Sequence, residues 1–228
     1  MAVPYLIMGT RDTDGMMVRG YRSPRREAQA RQTRARILAA AARRFLAHGY
    51  SGTTMRAVAA DAGVALPTVE LAFATKAGLL KAVIDVATAG DDEQVAMLDR
   101  QWAARAQSTD DPADFIAAFA QQLTASAQRA AGLAAAALEG ARADQAIAAV
   151  AAQLMSQRQV MAAWLVDGIL LRSALGDCTN RSAAIDTVWT LMDPVIFCRL
   201  TEDRHWTSSQ FQHWFTATVT QLLLPAGP

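Results

Sequence analysis

Cysteine is nearly absent: the 228 residues hold only Cys178 and Cys198. Two thiols cannot make a disulfide framework, so the chain is expected in a reducing compartment, the cytoplasm. Histidine is as scarce. His48, His205 and His213 show neither HExxH nor HxH spacing, and His205 and His213 stand too far apart for a chelate on one helix. No metal site and no cofactor are expected. Glycine-rich phosphate loops, a nucleophile elbow and paired-thiol motifs are missing too, which leaves an enzyme no catalytic constellation. The apolar run Pro4-Tyr5-Leu6-Ile7-Met8 is too short for a signal h-region, and no stretch reaches the length of a membrane span. Charge is sparse, at 19% of residues against 52% hydrophobic, which excludes a disordered polyampholyte and lets the chain bury a core.

The net charge of +1 conceals a split. Residues 1–81 carry 13 Lys+Arg against 5 Asp+Glu, a balance of +8, and residues 82–228 carry 9 against 16, a balance of −7. A basic nucleic-acid reader joined to an acidic remainder is the simplest interpretation.

What the chain does have is a window from Arg34 to Leu80 punctuated as three short helices and the start of a fourth. Ile37, Ala41 and Phe45 recur at intervals of four with Leu38 and Leu46 beside them, forming one apolar stripe, while Arg34, Arg36, Arg43 and Arg44 fall off it. Gly49 stops that helix. Ser51 to Thr54 supply a turn and a hydroxyl N-cap for a second, which carries Val58, Ala59 and Ala62 inward before Gly63 ends it. A short third helix opens with Pro67 in its first turn and turns Val64, Val69 and Phe73 to the core. Thr75 then caps a longer helix through Leu79, Leu80, Val83 and Ile84. Ala59, Gly63 and Val69 thus stand at the spacing of a helix-turn-helix, a device for placing one helix in the major groove of DNA.

At Ile37-Leu38, Phe45, Gly49-Tyr50, Thr53-Thr54, Ala62-Gly63-Val64, Pro67-Thr68-Val69, Phe73, Lys76 and Leu79-Leu80 the chain resembles the N-terminal domain of the TetR family of transcriptional repressors. The resemblance implies an all-α homodimer with two DNA-reading heads, a C-terminal domain holding an effector site, and dimerisation through the last two helices. The chain also departs from the family pattern. Ala65 stands where members usually place a capping Ser, and Thr68-Val69-Glu70-Leu71-Ala72-Phe73 lacks two customary DNA-facing aromatics.

Residues 1–27 mix Gly, Pro, Asp and Arg without periodicity and are expected to form a flexible arm, whose Arg19, Arg22, Arg25 and Arg26 either follow DNA or are simply solvated. Residues 28–84 form the expected helix-turn-helix domain. Residues 85–228 form an alanine-rich helical bundle for ligand binding and dimerisation, with helices expected near 92–107, 113–130, 133–140, 142–175, 180–200 and 207–224.

Candidate site residues follow. Thr53 and Thr54 at a helix N-terminus, with Arg56 and Lys76, suit phosphates. Leu66, Pro67, Thr68, Glu70 and Leu71 populate the exposed side of the third helix, where apolar groups favour thymine methyls. In the second half, Trp102, Phe119, Met155 and Trp164, with polar Gln122 and Gln159, suit a small apolar ligand between helices, or else are core. Trp189, Met192, Ile196, Phe211, Trp214 and Phe215 make the last two helices more apolar than one buried stripe needs, and the resemblance assigns these helices to a dimer interface.

The expected function is a repressor that binds a pseudo-palindromic double-stranded DNA operator as a homodimer and is released by a small apolar effector. A constitutive dimeric DNA-binding protein, and a helical carrier or enzyme with an incidental helix-turn-helix, are the alternatives.

Overall fold

A computed structural model describes residues 24–176 and 180–225. Residues 1–23, which hold Arg19 and Arg22 of the expected arm, and the segment with Cys178 lie outside the described residues. Every regular element among the described residues is helical: α1 (Pro24–His48), α2 (Met55–Ala62), α3 (Leu66–Phe73), α4 (Lys76–Ala89), α5 (Gln101–Gln107), α6 (Pro112–Gly140), α7 (Gln145–Leu170), α8 (Arg181–Leu191), α9 (Pro194–Cys198) and α10 (Ser208–Leu223).

The described residues divide into two units, one ending at Ala35 and one beginning at Arg36. In the first, the described residues open α1, and Arg25, Arg26 and Arg31 are exposed on it. The helix therefore begins at Pro24, earlier than the loss of periodicity predicts, because proline suits a first turn and Glu27 offsets the helix dipole there.

The second unit has two hydrophobic cores. One gathers Ile37, Ala41 and Phe45 of α1, Val58 and Ala62 of α2, Val69 and Phe73 of α3, and Leu79, Leu80 and Ile84 of α4. It also takes Leu133 and Ala137 from α6 and Ile147 from α7, so the N-terminal head, α1 to α4, shares its core with the helices that follow. The other gathers Phe115, Ile116 and Phe119 of α6, Leu165 and Ile169 of α7, Ile185 and Val188 of α8, and Phe211, Phe215, Val219 and Leu223 of α10. Each of the Val, Leu, Ile and Phe side chains contributes on the order of 1.5–3 kcal/mol by burial.

The helices after α4 differ from the sequence expectation in four places, the simplest being that α7 spans Gln145–Leu170 where a helix over 142–175 is expected. Residues 92–96 are not helical, because Arg100 takes up their backbone: it donates to the carbonyls of Glu93 and Val95 and pairs with both oxygens of Asp91 at 2.6 and 2.9 Å. Gly132 does not break α6. It is a point of close packing, since a Cβ there would lie 2.9 Å from Leu46 Cδ2. The expected helix over 180–200 is cut at Met192–Asp193, where Asp193 caps Val195 N–H at 2.8 Å ahead of Pro194 and starts α9 afresh.

Candidate nucleic-acid interface

The turn of the helix-turn-helix is held by an arginine. Gly63 ends α2 at φ 62°, ψ 43°, a left-handed conformation that favours glycine. Arg36 Nη2 reaches from α1 to donate to the carbonyls of Ala62 and Gly63, satisfying two acceptors left over at the helix end. A Cβ at Gly63 would meet Arg36 Nη2 at 2.9 Å, so backbone and clamp demand the same residue. Arg44, also on α1, pairs with Asp61 of α2 at 2.6 Å and 3.0 Å, which raises the guanidinium's pKa and lowers the carboxyl's. Amphipathic spacing alone places both arginines off the stripe and misses this role; a basic residue of α1 beside an unsatisfied α2 C-terminus is the signal that could have found it.

At the other end of α2, Thr54 Oγ1 accepts the Ala57 N–H at 3.1 Å and is exposed, as is Arg56 in the first turn. Thr53 is fully buried and donates its hydroxyl to Gly49 O at 2.8 Å, so its side chain serves the turn and does not face a phosphate. Lys76 is half-buried, donating to Tyr50 O at 2.9 Å with its ammonium 4.0 Å from the centre of the Tyr50 ring. Its charge is thus already engaged by a carbonyl and an aromatic face.

α3 presents Pro67, Thr68, Glu70 and Leu71 to solvent, while Val69 and Phe73 are buried and Leu66 packs partly against the head core. Leu71, at the tip of that face, is 92% exposed. Glu70 makes no ion pair among the described residues. Ala65 supplies no side-chain cap, and Pro67 pre-sets the first turn instead. Beyond α3, Ala74 sits at φ 57°, ψ −53°, and Thr75 N–H closes a tight turn onto Phe73 O at 2.6 Å. Thr75 then caps α4 through the Gly78 N–H at 3.0 Å.

Tyr50, in the loop after α1, joins this head to the bundle. Its ring stacks on Phe45 at 6.3 Å, its hydroxyl donates to Asp144 Oδ2 at 3.0 Å, and a Cβ on Gly140 would stand 3.1 Å from it. Burial, then the Asp144 partnership, pushes the Tyr50 pKa up to about 12. The C-terminal end of α4 is also tied down: Ser126 and Arg129 of α6 donate to Thr88 O, both at 3.0 Å, and Arg129 to Ala87 O at 2.7 Å.

In the bundle, Trp102, Phe119 and Trp164 converge. Trp102 meets Trp164 edge-on at 5.4 Å and Phe119 at 6.3 Å, and Phe115 adds a fourth ring 5.3 Å from Trp164. Gln122 lies farther along α6, donating to Ser126 Oγ at 3.2 Å. Met155 and Gln159 are exposed on α7, and the Met155 carbonyl receives Trp189 Nε1 at 3.3 Å, so this stretch of α7 meets α8. Of the residues expected at a dimer interface, Phe211 and Phe215 are buried in the chain's own core, whereas Trp189, Met192, Ile196 and Trp214 are half-buried. A period-3.6 pattern cannot tell which apolar face of α10 turns inward, and Phe119, 6.2 Å from Phe215, has taken that one.

Among the described residues, no group of three or more His, Cys, Asp or Glu is placed to hold a metal ion, and no helix is long and apolar enough to cross a membrane. Cys198 is a free, half-buried thiol whose pKa burial and Glu202 raise to about 11, the opposite of a reactive thiolate.

Residues 37–83 match the model for bacterial regulatory proteins, tetR family. Solved structures share the fold. NalD, the secondary repressor of the MexAB-OprM multidrug efflux pump in Pseudomonas aeruginosa, is 16% identical, with 86% of this chain and 97% of that one covered at a TM-score of 0.62. FadR from Bacillus subtilis, a transcriptional regulator solved with stearoyl-CoA, is 12% identical over 81% of this chain and 96% of that one, with a TM-score of 0.64. A transcriptional regulator from Rhodococcus sp. Rha1 is 16% identical over 83% and 95%, with a TM-score of 0.57. The comparison with curated proteins found no match. Residues 37–83 are thus similar to the N-terminal domain of the tetR family, and α2 and α3 are the two helices of its helix-turn-helix pattern.

Proposed function

We propose that this chain is a homodimeric transcriptional repressor that reads a pseudo-palindromic operator with α3 and is released from it by a small apolar ligand bound in the α5–α7 region. The observation that carries the reading is the solvent-exposed face of α3, where Leu71 stands 92% exposed beside Thr68 and Glu70 on a helix whose other face is fixed by buried Val69 and Phe73. A rigid helix with an exposed apolar tip suits thymine methyl groups in the major groove. Arg56 and the Thr54 N-cap stand ready for flanking phosphates. One such helix covers only a few base pairs, so pairing two across a twofold axis supplies the missing specificity. The half-buried Trp189, Met192, Ile196 and Trp214 around α8–α10 favour that region for the partner.

Release requires that the bundle and the head move together, and α6 supports this. Its 29 residues span about 43 Å at 1.5 Å per residue. One stripe along it carries Phe115 and Phe119 in the aromatic cluster, Gln122, Ser126 and Arg129 toward the end of α4, Leu133 and Ala137 in the head core, and Gly140 against Tyr50. A ligand that shifts the first pair favours a different head placement, in proportion to its difference in affinity for the two states. NalD, which shares the fold, is described as a repressor, and FadR was solved with a bound ligand.

Selection of bound sequences from a random duplex library tests the reading. Enrichment of an inverted repeat that apolar compounds then release supports it, and an inverted repeat that no compound releases favours a constitutive DNA-binding protein.

A further inference from the structure

The aromatic cluster contains one polar group without a partner. The indole N–H of Trp102 is buried and meets no hydrogen-bond acceptor among the described residues. An indole nitrogen is a donor only, and burying it unpaired costs free energy that a buried acceptor would return. Its surroundings are rings: Trp164 edge-on at 5.4 Å and Phe119 at 6.3 Å, with Phe115 behind Trp164. These offer π faces but no oxygen or nitrogen lone pair.

Arg172, Asp167 and the Gln122 amide nitrogen, all near the cluster, are already committed. Arg172 lies over the Phe115 ring at 4.1 Å, but its nitrogens donate to the carbonyls of Thr109, Gly168 and Gln107, at 2.6, 2.7 and 2.8 Å. Asp167 is paired with Arg181, and Gln122 with Ser126. Arg172 is thus spent on backbone carbonyls, and the unpartnered buried atom of the aromatic cluster itself is a neutral donor among ring faces.

Resting on the effector reading above, we propose that the ligand taken at Trp102 is a neutral, planar aromatic molecule bearing a hydrogen-bond acceptor such as a ring carbonyl, which stacks on Trp164 and accepts the Trp102 Nε1–H. Trp102 and Trp164 are only half-buried, so solvent reaches their edges while Phe115 and Phe119 form a closed floor. Because the N–H is itself buried, binding requires the Trp102 side chain to turn its nitrogen toward the guest. The carbonyl replaces the missing acceptor and the guest's rings extend the aromatic stack.

Matched probes test this with the full-length protein: xanthone, which has the carbonyl; xanthene, which lacks it; and xanthone-2-carboxylate, which adds a charge. Affinity is read by quenching of tryptophan fluorescence and by the shift in thermal midpoint, and operator binding is followed separately. Xanthone is expected to bind about tenfold more tightly than xanthene, the worth of one hydrogen bond, and the carboxylate more weakly than xanthone. Trp102→Phe should remove the xanthone preference, while Trp164→Phe should weaken both neutral probes and leave their ratio. Equal binding of the neutral pair, a preference that survives in Trp102→Phe, tighter binding of the carboxylate, or no binding of any probe overturns the proposal. Release of the operator by other compounds when none of these probes binds would sink the proposal and leave the effector reading intact. Carbonyl-dependent binding with unchanged operator affinity would do the reverse.

Discussion

The Tyr50 hydroxyl donates to Asp144 Oδ2 at 3.0 Å, across 94 residues of sequence, and the same carboxylate caps α7 through the Ala146 N–H at 2.8 Å. One side chain of the reading head is thereby bonded to the group that starts a bundle helix. Tyr50→Phe keeps the ring on Phe45 and under Lys76 and removes only this bond, for a loss of about 1 kcal/mol of stability.

The pH dependence of that loss has a defined sign. Tyr50 has its pKa raised to about 12, so its contribution is complete below the ordinary tyrosine value of 10.0 and disappears as pH rises through 12. Asp144 has its pKa lowered, first by the Ala146 N–H and then by Tyr50, so its contribution is present above the ordinary 3.8 and is lost as pH falls below it. Urea midpoints of wild type and Tyr50→Phe should therefore differ by a constant amount from pH 5 to 9 and converge at both extremes. A difference that persists unchanged to the acid limit of the folded state would remove Asp144 from the explanation.

Arg36 predicts a separation of stability from electrostatics. Arg36→Ala leaves the Ala62 and Gly63 carbonyls without their clamp and is expected to cost about 1–3 kcal/mol. Gly63→Ala should be at least as damaging, since it forces an alanine into φ 62° and against the clamp. Operator affinity should fall in both variants while the slope of log K against log salt stays that of wild type, because the Arg36 guanidinium is turned onto the Ala62 and Gly63 carbonyls and Gly63 carries no side chain. A flattened slope in Arg36→Ala would mean that this arginine reaches DNA.

Arg56 is the contrasting case. Exposed in the first turn of α2, it should release counterions on binding, so Arg56→Ala should weaken binding to every sequence and reduce the slope by about 0.9 per contact, doubled in a dimer. Lys76, held by Tyr50, should lower stability when changed to Ala and move the slope much less. Titrations between 50 and 200 mM salt separate the two.

Much of the head can be read from the sequence because its signals are local. Gly63, Thr54 and Thr75 act within one turn of themselves, and the structure places them at the ends of α2 and α4 as the caps predict. The bundle was less legible, since its breaks depend on distant partners. Arg100 holds the Glu93 and Val95 carbonyls out of a helix, and Gly132 stays inside α6 with Leu46 of α1 packed close beside it. The candidate ligand residues divided for the same reason: Trp102, Phe119 and Trp164 meet in space, whereas Met155 and Gln159 lie on an exposed face of α7 that amphipathic spacing could not distinguish.

Glu70 sets a test of readout. Removing its charge with Glu70→Gln should raise affinity for all DNA, since a carboxylate is repelled by phosphates. If Glu70 accepts a hydrogen bond from cytosine N4, the same change also alters preference at one C·G pair per half-site, by about 1–3 kcal/mol. Binding across an operator library shows which; unchanged preference at every position leaves Glu70 as a solvated charge.

The measurement closest to the central claim is selection from random duplex DNA at physiological salt with the full-length protein, followed by the mass of the complex on the selected site. The account predicts an inverted repeat whose half-sites are separated by about one helical turn or a multiple of it, bound by two chains, with enrichment lost when Leu71 and Thr68 are both replaced by Ala. Recovery of no preferred sequence, or of a single asymmetric half-site bound by one chain, would contradict it.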